Sequence, residues 1–293
     1  MPSTITVPAR VSRLSGRSLV LFSIVVASLG SLWILQRQPG TFSVSRGGLA
    51  IAAQFLGRAL NPALTYETDV PADTPPLLWK ALAAAEATVT FAAAALSLAL
   101  VGGCGLGLLA SAALWEGDPM RRSSVRRWRW TLAPALYSTT RVVIGVVRSI
   151  HELLWAVLLL AAFGLGNLTA VMAIAIPYAG ILAKVFSEML DEVPRDAVLA
   201  MRDAGASPIQ AFLFGLLPRA LPDMSAYAFY RFECAIRSSA VLGFFGFPTL
   251  GYYIAASFEN LHYGEVWTYL YVLFGLVALM DWWSGALRRR YVA

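Results

Sequence analysis

The sequence predicts an all-α, polytopic membrane protein with about six transmembrane helices, and three observations carry that prediction. Of its 293 residues 58% are hydrophobic and only 14% charged, with a mean hydropathy of +0.65, against about a quarter charged in an ordinary soluble domain. Apolar runs long enough for a hydrocarbon core of ~30 Å recur along the chain, and arginines gather between them. One polar, Gly- and Pro-punctuated loop, residues 190–218, stands between two such runs. A net charge of +6 would suggest nucleic acid in a soluble chain. Here the basic residues flank apolar runs, which is a pattern of membrane orientation, and no nucleic-acid partner is read from them.

Arg10, Arg13 and Arg17 precede the first apolar run, residues 19–36. The run continues through Trp33 to Leu35, longer than the core of a signal peptide, so an uncleaved anchor with a cytoplasmic N-terminus is expected. From 39 to 76 the composition is mixed, with a stretch at 51–60 suited to the interface and an acidic, Pro-rich piece, YETDVPADTPP. Residues 1–78 therefore read as an anchor helix and external loop, and 79–293 as the transmembrane core.

The core opens with an Ala- and Leu-rich span, residues 79–114. Gly103 and Gly107 form a GxxxG pair that lets helices approach closely, and Thr88 and Thr90 can bond back to their own helix. A phosphate loop is the sharper reading of GGCGLG, but no strand precedes it and no Lys follows. Cys104 and Cys234 have no Cys or His at metal-ligand spacing and read as packing residues. Arg121, Arg122, Arg126, Arg127 and Arg129 mark the next loop as cytoplasmic, and they could also hold lipid headgroups.

Residues 132–163 are too long for one simple span and contain Arg141, Arg148, His151 and Glu152. An unpaired charge near the bilayer centre costs at least about 2.5–3.5 kcal/mol, so these groups should face the interior, pair, or lie at an interface. Arg148 and Glu152 are four apart and can pair on one helix face. The alternative is that Arg148, Ser149 and His151 line a path for an anion, and both readings stay open.

Residues 168–186 form the next span, with Pro177 as a kink beside Tyr178 and Gly180. Glu188, Asp191 and Glu192 lead into the polar loop. There Asp196 suits the first turn of a short helix, Gly205 the left-handed position that ends it, Ser207 the cap of a second helix and Pro208 that helix's first turn. Pro218 is expected to stop the second helix. The product is a helix-turn-helix too polar for lipid, whose Ala200, Ala204 and Ala206 allow another protein to approach. After Pro222 the chain re-enters the membrane. Glu233 and Arg237 make the better local pair, which leaves Arg231 for a partner elsewhere or for the path, with Ser238 and Ser239 beside it. Gly243, Gly246 and Gly251 are expected to break this helix at a turn lining a cavity. A last span, 267–283, ends at Arg288, Arg289 and Arg290, so the C-terminus is also cytoplasmic.

Three stretches resemble a known family. Met201–Ser207, ending in Gly-Ala-Ser, and Leu217–Pro222, of the form L-P-x-A-L-P, resemble the Glu-Ala-Ala loop of ABC importer permeases. RSIHELLWA at Arg148–Ala156 and YRFECAIRSSAVLGFFG at Tyr230–Gly246 are similar to the phosphonate transporter permeases. The resemblance implies a type I ABC importer permease fold in the bacterial inner membrane, with a cytoplasmic coupling helix that docks on a separate ATPase. Mapped onto this chain, Asp196, Ala200, Met201, Ala204, Gly205, Ala206, Ser207 and Pro208 would couple to that ATPase. Arg148, Ser149, His151, Glu152, Arg231, Glu233, Arg237, Ser238 and Ser239 would be candidates for the translocation path. Gly243, Gly246 and Gly251 would form a gate or turn. Two departures stand out: Leu199 occupies the place of the loop's usual Glu, and Phe247-Pro248-Thr249 replaces a run of Ala and Gly.

Motifs for chemistry are missing: no GxxxxGK[ST] for ATP, no HExxH or Cys/His cluster for a metal, no GxSxG elbow. The expectation is a transport subunit without its own ATPase site, binding no cofactor, whose partner ATPase holds ATP with Mg. The resemblance adds a homodimer of this chain and an external solute-binding protein, and phosphonates or related phosphorus oxyanions such as phosphite as substrates. The alternatives are a permease for another small anion, or a membrane-embedded enzyme using His151, Glu152, Arg231 and Glu233.

Overall fold

In a computed structural model the described residues, 16–37, 46–115 and 126–291, are helical with no strand among them. They divide into two compact units, one ending at Leu56 and one beginning at Gly57. The first holds α1 (Gly16–Gln36) and α2 (Arg46–Gly57). Leucines, valines and Phe22 of α1 are exposed all round the helix, as suits a lipid-facing span, and the Arg37 guanidinium lies 3.8 Å from the centre of the Trp33 ring at its end. Arg10, Arg13, Arg121 and Arg122, which orient the chain in the sequence reading, lie outside the described residues.

The second unit is built around α7 (Asn167–Glu192), which packs against α3 (Leu77–Ala110), α5 (Arg126–Ser149), α6 (Glu152–Phe163) and α10 (Leu217–Leu242). Between helices in lipid there is little hydrophobic driving force, so contact depends on small residues that bring backbones together. The sequence supplies them: Ala170, Ala173 and Ala183 of α7 are fully buried, and so are Ala92, Ala95 and Ala99 of α3. A methyl group at Gly103 would lie 2.7 Å from the Leu182 Cβ, and one at Gly107 would lie 3.1 Å from the Ala183 carbonyl oxygen. The GxxxG pair is thus a helix contact, as expected. Asp191, at the end of α7, accepts from the Ser111 hydroxyl at 2.7 Å and the Ala113 N–H at 3.1 Å, and so ties the start of the short α4 (Ala112–Trp115) to α7.

Among the described residues four helical stretches are long and apolar enough to cross a membrane: Ser18–Gln36, Leu77–Ala110, Asn167–Glu192 and Tyr263–Leu287. Two bent pairs bring the number to six if each is one span: 132–149 with 152–163, bent by 90°, and 208–245 with 250–259, bent by 44°. The long 132–163 segment is therefore two helices. Its break falls where His151 adopts an extended conformation (φ −66°, ψ 147°) and its Nδ1 accepts from the Leu153 N–H at 3.3 Å, capping α6.

Two expectations are corrected. Pro218 does not end a helix, because α9 (Pro208–Gln210) runs through a π-helical stretch, Ala211–Leu216, straight into α10. Within it the Leu217 N–H bonds the Phe212 carbonyl, and the extra residue in this turn gives the following proline ring room inside a continuous helix. Gly251 does not break a helix either; it lies in the first turn of α11 (Leu250–Glu259). A Cβ there would sit 2.0 Å from the Ala240 carbonyl oxygen, so its role is close approach to α10.

Residues 58–76 lie along α12 (Tyr263–Tyr291). The Ala63 N–H bonds the Gly264 carbonyl at 3.1 Å, the Tyr271 hydroxyl bonds the Ala59 carbonyl at 2.7 Å, and the Glu67 N–H bonds Glu265 Oε1 at 2.9 Å. The Lys80 ammonium lies over the rings of Tyr66 and Tyr253, at 5.4 and 4.9 Å. Burial, and then the nearby Glu265 and Tyr253, push the Tyr66 hydroxyl above its ordinary pKa, and it stays a neutral donor to the Pro75 carbonyl at 2.8 Å.

Candidate functional site

The polar loop forms the helix-turn-helix that its residue pattern predicts. α8 (Asp196–Asp203) ends in a Schellman turn. Gly205 has φ +92°, its N–H bonds the Arg202 carbonyl, and the Ala206 N–H reaches back to the Met201 carbonyl, each at 2.9 Å. Ser207 then opens α9 with a reciprocal capping box: its Oγ accepts from the Gln210 N–H at 3.3 Å and its own N–H donates to Gln210 Oε1 at 2.9 Å. Val198 is buried and Met201 packs inward, its sulfur 3.1 Å from where a Cβ on Gly215 would stand. Leu199, Ala200, Ala204, Gly205 and Ile209 are left exposed on the outer face. Ala206, Ser207 and Pro208 are half-buried, and Asp196 is exposed, 3.9 Å from Arg219.

A second polar cluster gathers at the bend between α5 and α6. The tight break there leaves carbonyls of the last turn of α5 free, and the Ser149 hydroxyl and Trp155 Nε1 bond those of Val146 and Val147, at 2.7 and 3.3 Å. The break also separates Arg148 from Glu152, so of the two readings left open by the sequence the intrahelical pair does not form. Glu152 instead lies in the first turn of α6, where the helix dipole favours a carboxylate. Its Oε1 accepts from Ser238 Oγ of α10 at 3.0 Å, and its Oε2 is 3.5 Å from His151 Nε2. Ser238 Oγ also lies 3.0 Å from the hydroxyl of Tyr178 on α7, and the Arg231 guanidinium stacks over that tyrosine ring at 4.3 Å. One line of contacts thus runs Glu152, Ser238, Tyr178, Arg231 across three helices.

The remaining predicted path residues divide. Glu233 and Arg237 pair at 2.5 Å, as expected from their spacing. Ser239 is fully buried and bonds the Thr88 carbonyl at 2.8 Å, so it joins α10 to α3. Arg148 and Ser149 are exposed at the end of α5.

The family model described as "Binding-protein-dependent transport system inner membrane component" matches residues 48–292. The chain belongs to this family. The inner membrane component is 34% identical over 158 residues to the phosphite transport system permease protein PtxC of Stutzerimonas stutzeri, covering 54% of this chain and 58% of PtxC. It is 32% identical over 159 residues to the phosphate-import permease protein PhnE of Mycolicibacterium smegmatis, covering 54% of this chain and 30% of PhnE. The match therefore spans less than two thirds of either relative. In three dimensions it resembles the inward-facing MetNI methionine ABC transporter, with a TM-score of 0.58 at 23% identity over 73% of this chain and 96% of that chain. That likeness shows the fold, which is the ABC importer permease fold expected from the sequence. The family is a membrane transport component and not an enzyme.

The turn after α10 in this inner membrane component is a 3₁₀ stretch, Gly243–Phe245, followed by Gly246 at φ +95°. A Cβ on Gly243 would lie 2.0 Å from the Tyr252 nitrogen, so α10 and α11 meet at Gly243 and Gly251. The unusual Phe247-Pro248-Thr249 is fastened on both sides. Phe247 is buried with its ring edge-on to Phe91 at 6.3 Å, and the Thr249 hydroxyl bonds the Ala240 carbonyl at 3.2 Å. The Leu250 N–H bonds Thr88 Oγ1 at 3.1 Å.

Sequence reasoning missed two residues. Tyr178 is noticed only as a neighbour of the kink, although a tyrosine hydroxyl inside an apolar span needs a partner. Glu265 is buried and accepts from the Glu67 N–H and the Ser257 hydroxyl. An acid opening a long apolar helix is the signal that could have found it.

Proposed function

We propose that this chain is the membrane-spanning subunit of an ATP-driven importer for small phosphorus oxyanions, phosphite or phosphonates. The observation that carries the reading is the 34% identity to the phosphite permease PtxC. In this reading two copies of the chain form the path, with both termini in the cytoplasm, residues 1–78 as anchor and external loop, and residues 79–293 as the permease core. The loop 190–218 docks on a separate ATPase, which holds ATP with Mg, and an external solute-binding protein delivers the anion.

The capped geometry of α8 and α9 supports the docking role. A turn whose backbone groups are satisfied internally presents its exposed Leu199, Ala200, Ala204 and Gly205 as a preformed surface, and Leu199 offers an apolar contact where the family's Glu would offer a polar one. Ala206, Ser207 and Pro208 shape that surface, Asp196 begins it, and Met201 supports it from beneath. Within the membrane Arg148, Ser149, His151, Glu152, Arg231, Glu233, Arg237 and Ser238 are the polar groups available to a path, and Gly243 and Gly246 form the adjoining turn, with Gly251 packed beside it at the start of α11. ATP and loaded binding protein must each bind the outward state more tightly than the inward one, since only differential affinity shifts a conformational equilibrium.

The test is purification of the tagged chain from cross-linked native membranes, with stoichiometry of what accompanies it, followed by uptake of labelled phosphite and methylphosphonate by the reconstituted complex. One ATPase per permease chain and ATP-dependent phosphite uptake are expected. A chain recovered alone, or a complex that carries neither anion, would overturn the reading.

A further inference from the structure

Two arginines flank the same short stretch of α7 from different helices. Arg231 of α10 lies over the Tyr178 ring. The backbone at the end of α5 crosses α7 two residues further on, where a Cβ at Gly180 would be 3.3 Å from the Arg148 main-chain nitrogen and 3.0 Å from Val147 Cγ1. Among the described residues neither guanidinium has a carboxylate partner: Glu233 is taken by Arg237, and Glu152 is engaged by Ser238 and His151. The Nε of Arg231 is buried and without a hydrogen-bond partner among the described residues.

Two unneutralised guanidinium groups within membrane-spanning helices are expensive unless an anion compensates them. Arginine presents a planar fork of donors that matches the oxygens of a phosphate-like group. Stacking on Tyr178 engages the face of the Arg231 guanidinium and uses none of its N–H donors. The line from Glu152 through Ser238 to the Tyr178 hydroxyl holds that ring in place.

From this we infer that Arg231 and Arg148 form a binding site for a tetrahedral phosphorus oxyanion, with Tyr178 as the platform that positions Arg231 and with Ser238 and Glu152 fixing the platform. The inference rests on the proposed oxyanion transport, and it names the place in the membrane where the anion is held. Phosphate chemistry could reach the site as a free anion or as a lipid headgroup.

The test uses the full chain with any copurifying ATPase, in nanodiscs of phosphatidylcholine alone or with phosphatidylglycerol. Thermal unfolding is followed as sodium phosphite, or sodium chloride at equal ionic strength, is titrated. Phosphite is expected to raise the midpoint saturably in phosphatidylcholine. Arg231→Gln should weaken that response at least about tenfold, with the loss of charge-assisted hydrogen bonds. Tyr178→Leu should weaken it about threefold or more, while Tyr178→Phe, which keeps the ring, should lose less. An Arg231-dependent stabilisation produced by phosphatidylglycerol and not by phosphite assigns the same site to a headgroup phosphate. A response to phosphite or phosphatidylglycerol that is equal in the wild type and Arg231→Gln, or no response to either, overturns the inference. Midpoints without anion report whether each variant folds, and Arg231→Lys, which keeps the charge but not the fork, replaces the glutamine variant if that fails. Arg231-dependent binding in a complex that imports no phosphite would leave this site standing and remove the transport reading. Phosphite import in a complex whose anion response ignores Arg231 would do the reverse.

Discussion

Ser238 on α10 donates to Glu152 at the start of α6 across 3.0 Å, joining residues 86 apart in sequence at the 90° bend between α5 and α6. The same oxygen meets the Tyr178 hydroxyl, so one small side chain satisfies polar groups from two other helices. Replacing it by alanine leaves both without this partner.

Ser238→Ala should therefore destabilise the protein by about 1–3 kcal/mol, the cost of leaving buried polar groups unsatisfied. The measurement is the unfolding midpoint in detergent or nanodiscs. A midpoint unchanged from wild type would mean that Glu152 and Tyr178 find other partners.

Gly251→Ala should prevent normal folding, since its Cβ would stand 2.0 Å from the Ala240 carbonyl oxygen and 3.0 Å from the Ala240 carbonyl carbon, atoms of the main chain that cannot swing aside. Gly105→Ala is the control, because nothing lies within 4 Å of its Cβ position. The recovery of each as a monodisperse peak on size exclusion distinguishes them; an equal yield would show that α10 and α11 can separate without loss.

Gly205→Val should cost about 1–2 kcal/mol locally, because a β-branched residue resists the left-handed conformation, and Gly205→Asn should cost less. If the loop docks on an ATPase, the valine variant loses copurifying ATPase and coupled uptake while the chain itself remains folded. Full coupling in that variant would remove the docking assignment.

Glu265→Ala should loosen residues 58–76 from α12, since the Glu67 N–H and Ser257 hydroxyl lose their acceptor; hydrogen bonds to a charged group are worth about 1.5–3 kcal/mol each. Faster amide exchange at Glu67 and its neighbours is the expected result. Glu265→Gln, which keeps one acceptor oxygen, should fall between the two.

Local patterns are legible in this sequence wherever one segment satisfies its own backbone. The Gly-Ala-Ser turn with Pro208 dictates the Schellman end of α8 and the capped start of α9, because those bonds join residues three to five apart. Apolar length dictates the long helix Gly16–Gln36 and the other long apolar helices, and Glu233 and Arg237 pair because a helix brings positions four apart together. Small residues at Gly103 and Gly107 announce a close helix contact. What they cannot name is the partner, Leu182 and Ala183, because that choice depends on which helix lies alongside.

Tertiary structure decided the rest. Arg148 and Glu152 have the spacing of a helical pair, but the chain turns by 90° between them and Glu152 finds Ser238 instead. Pro218 carries a stop signal that a π turn overrides. Tyr178, silent in the sequence, meets Ser238 of α10, the side chain that also holds Glu152 of α6. The physical reason is the same in each case: helix propensity and capping are satisfied within a few residues, whereas a buried polar side chain in a membrane protein must take its partner from whichever helix packing brings near.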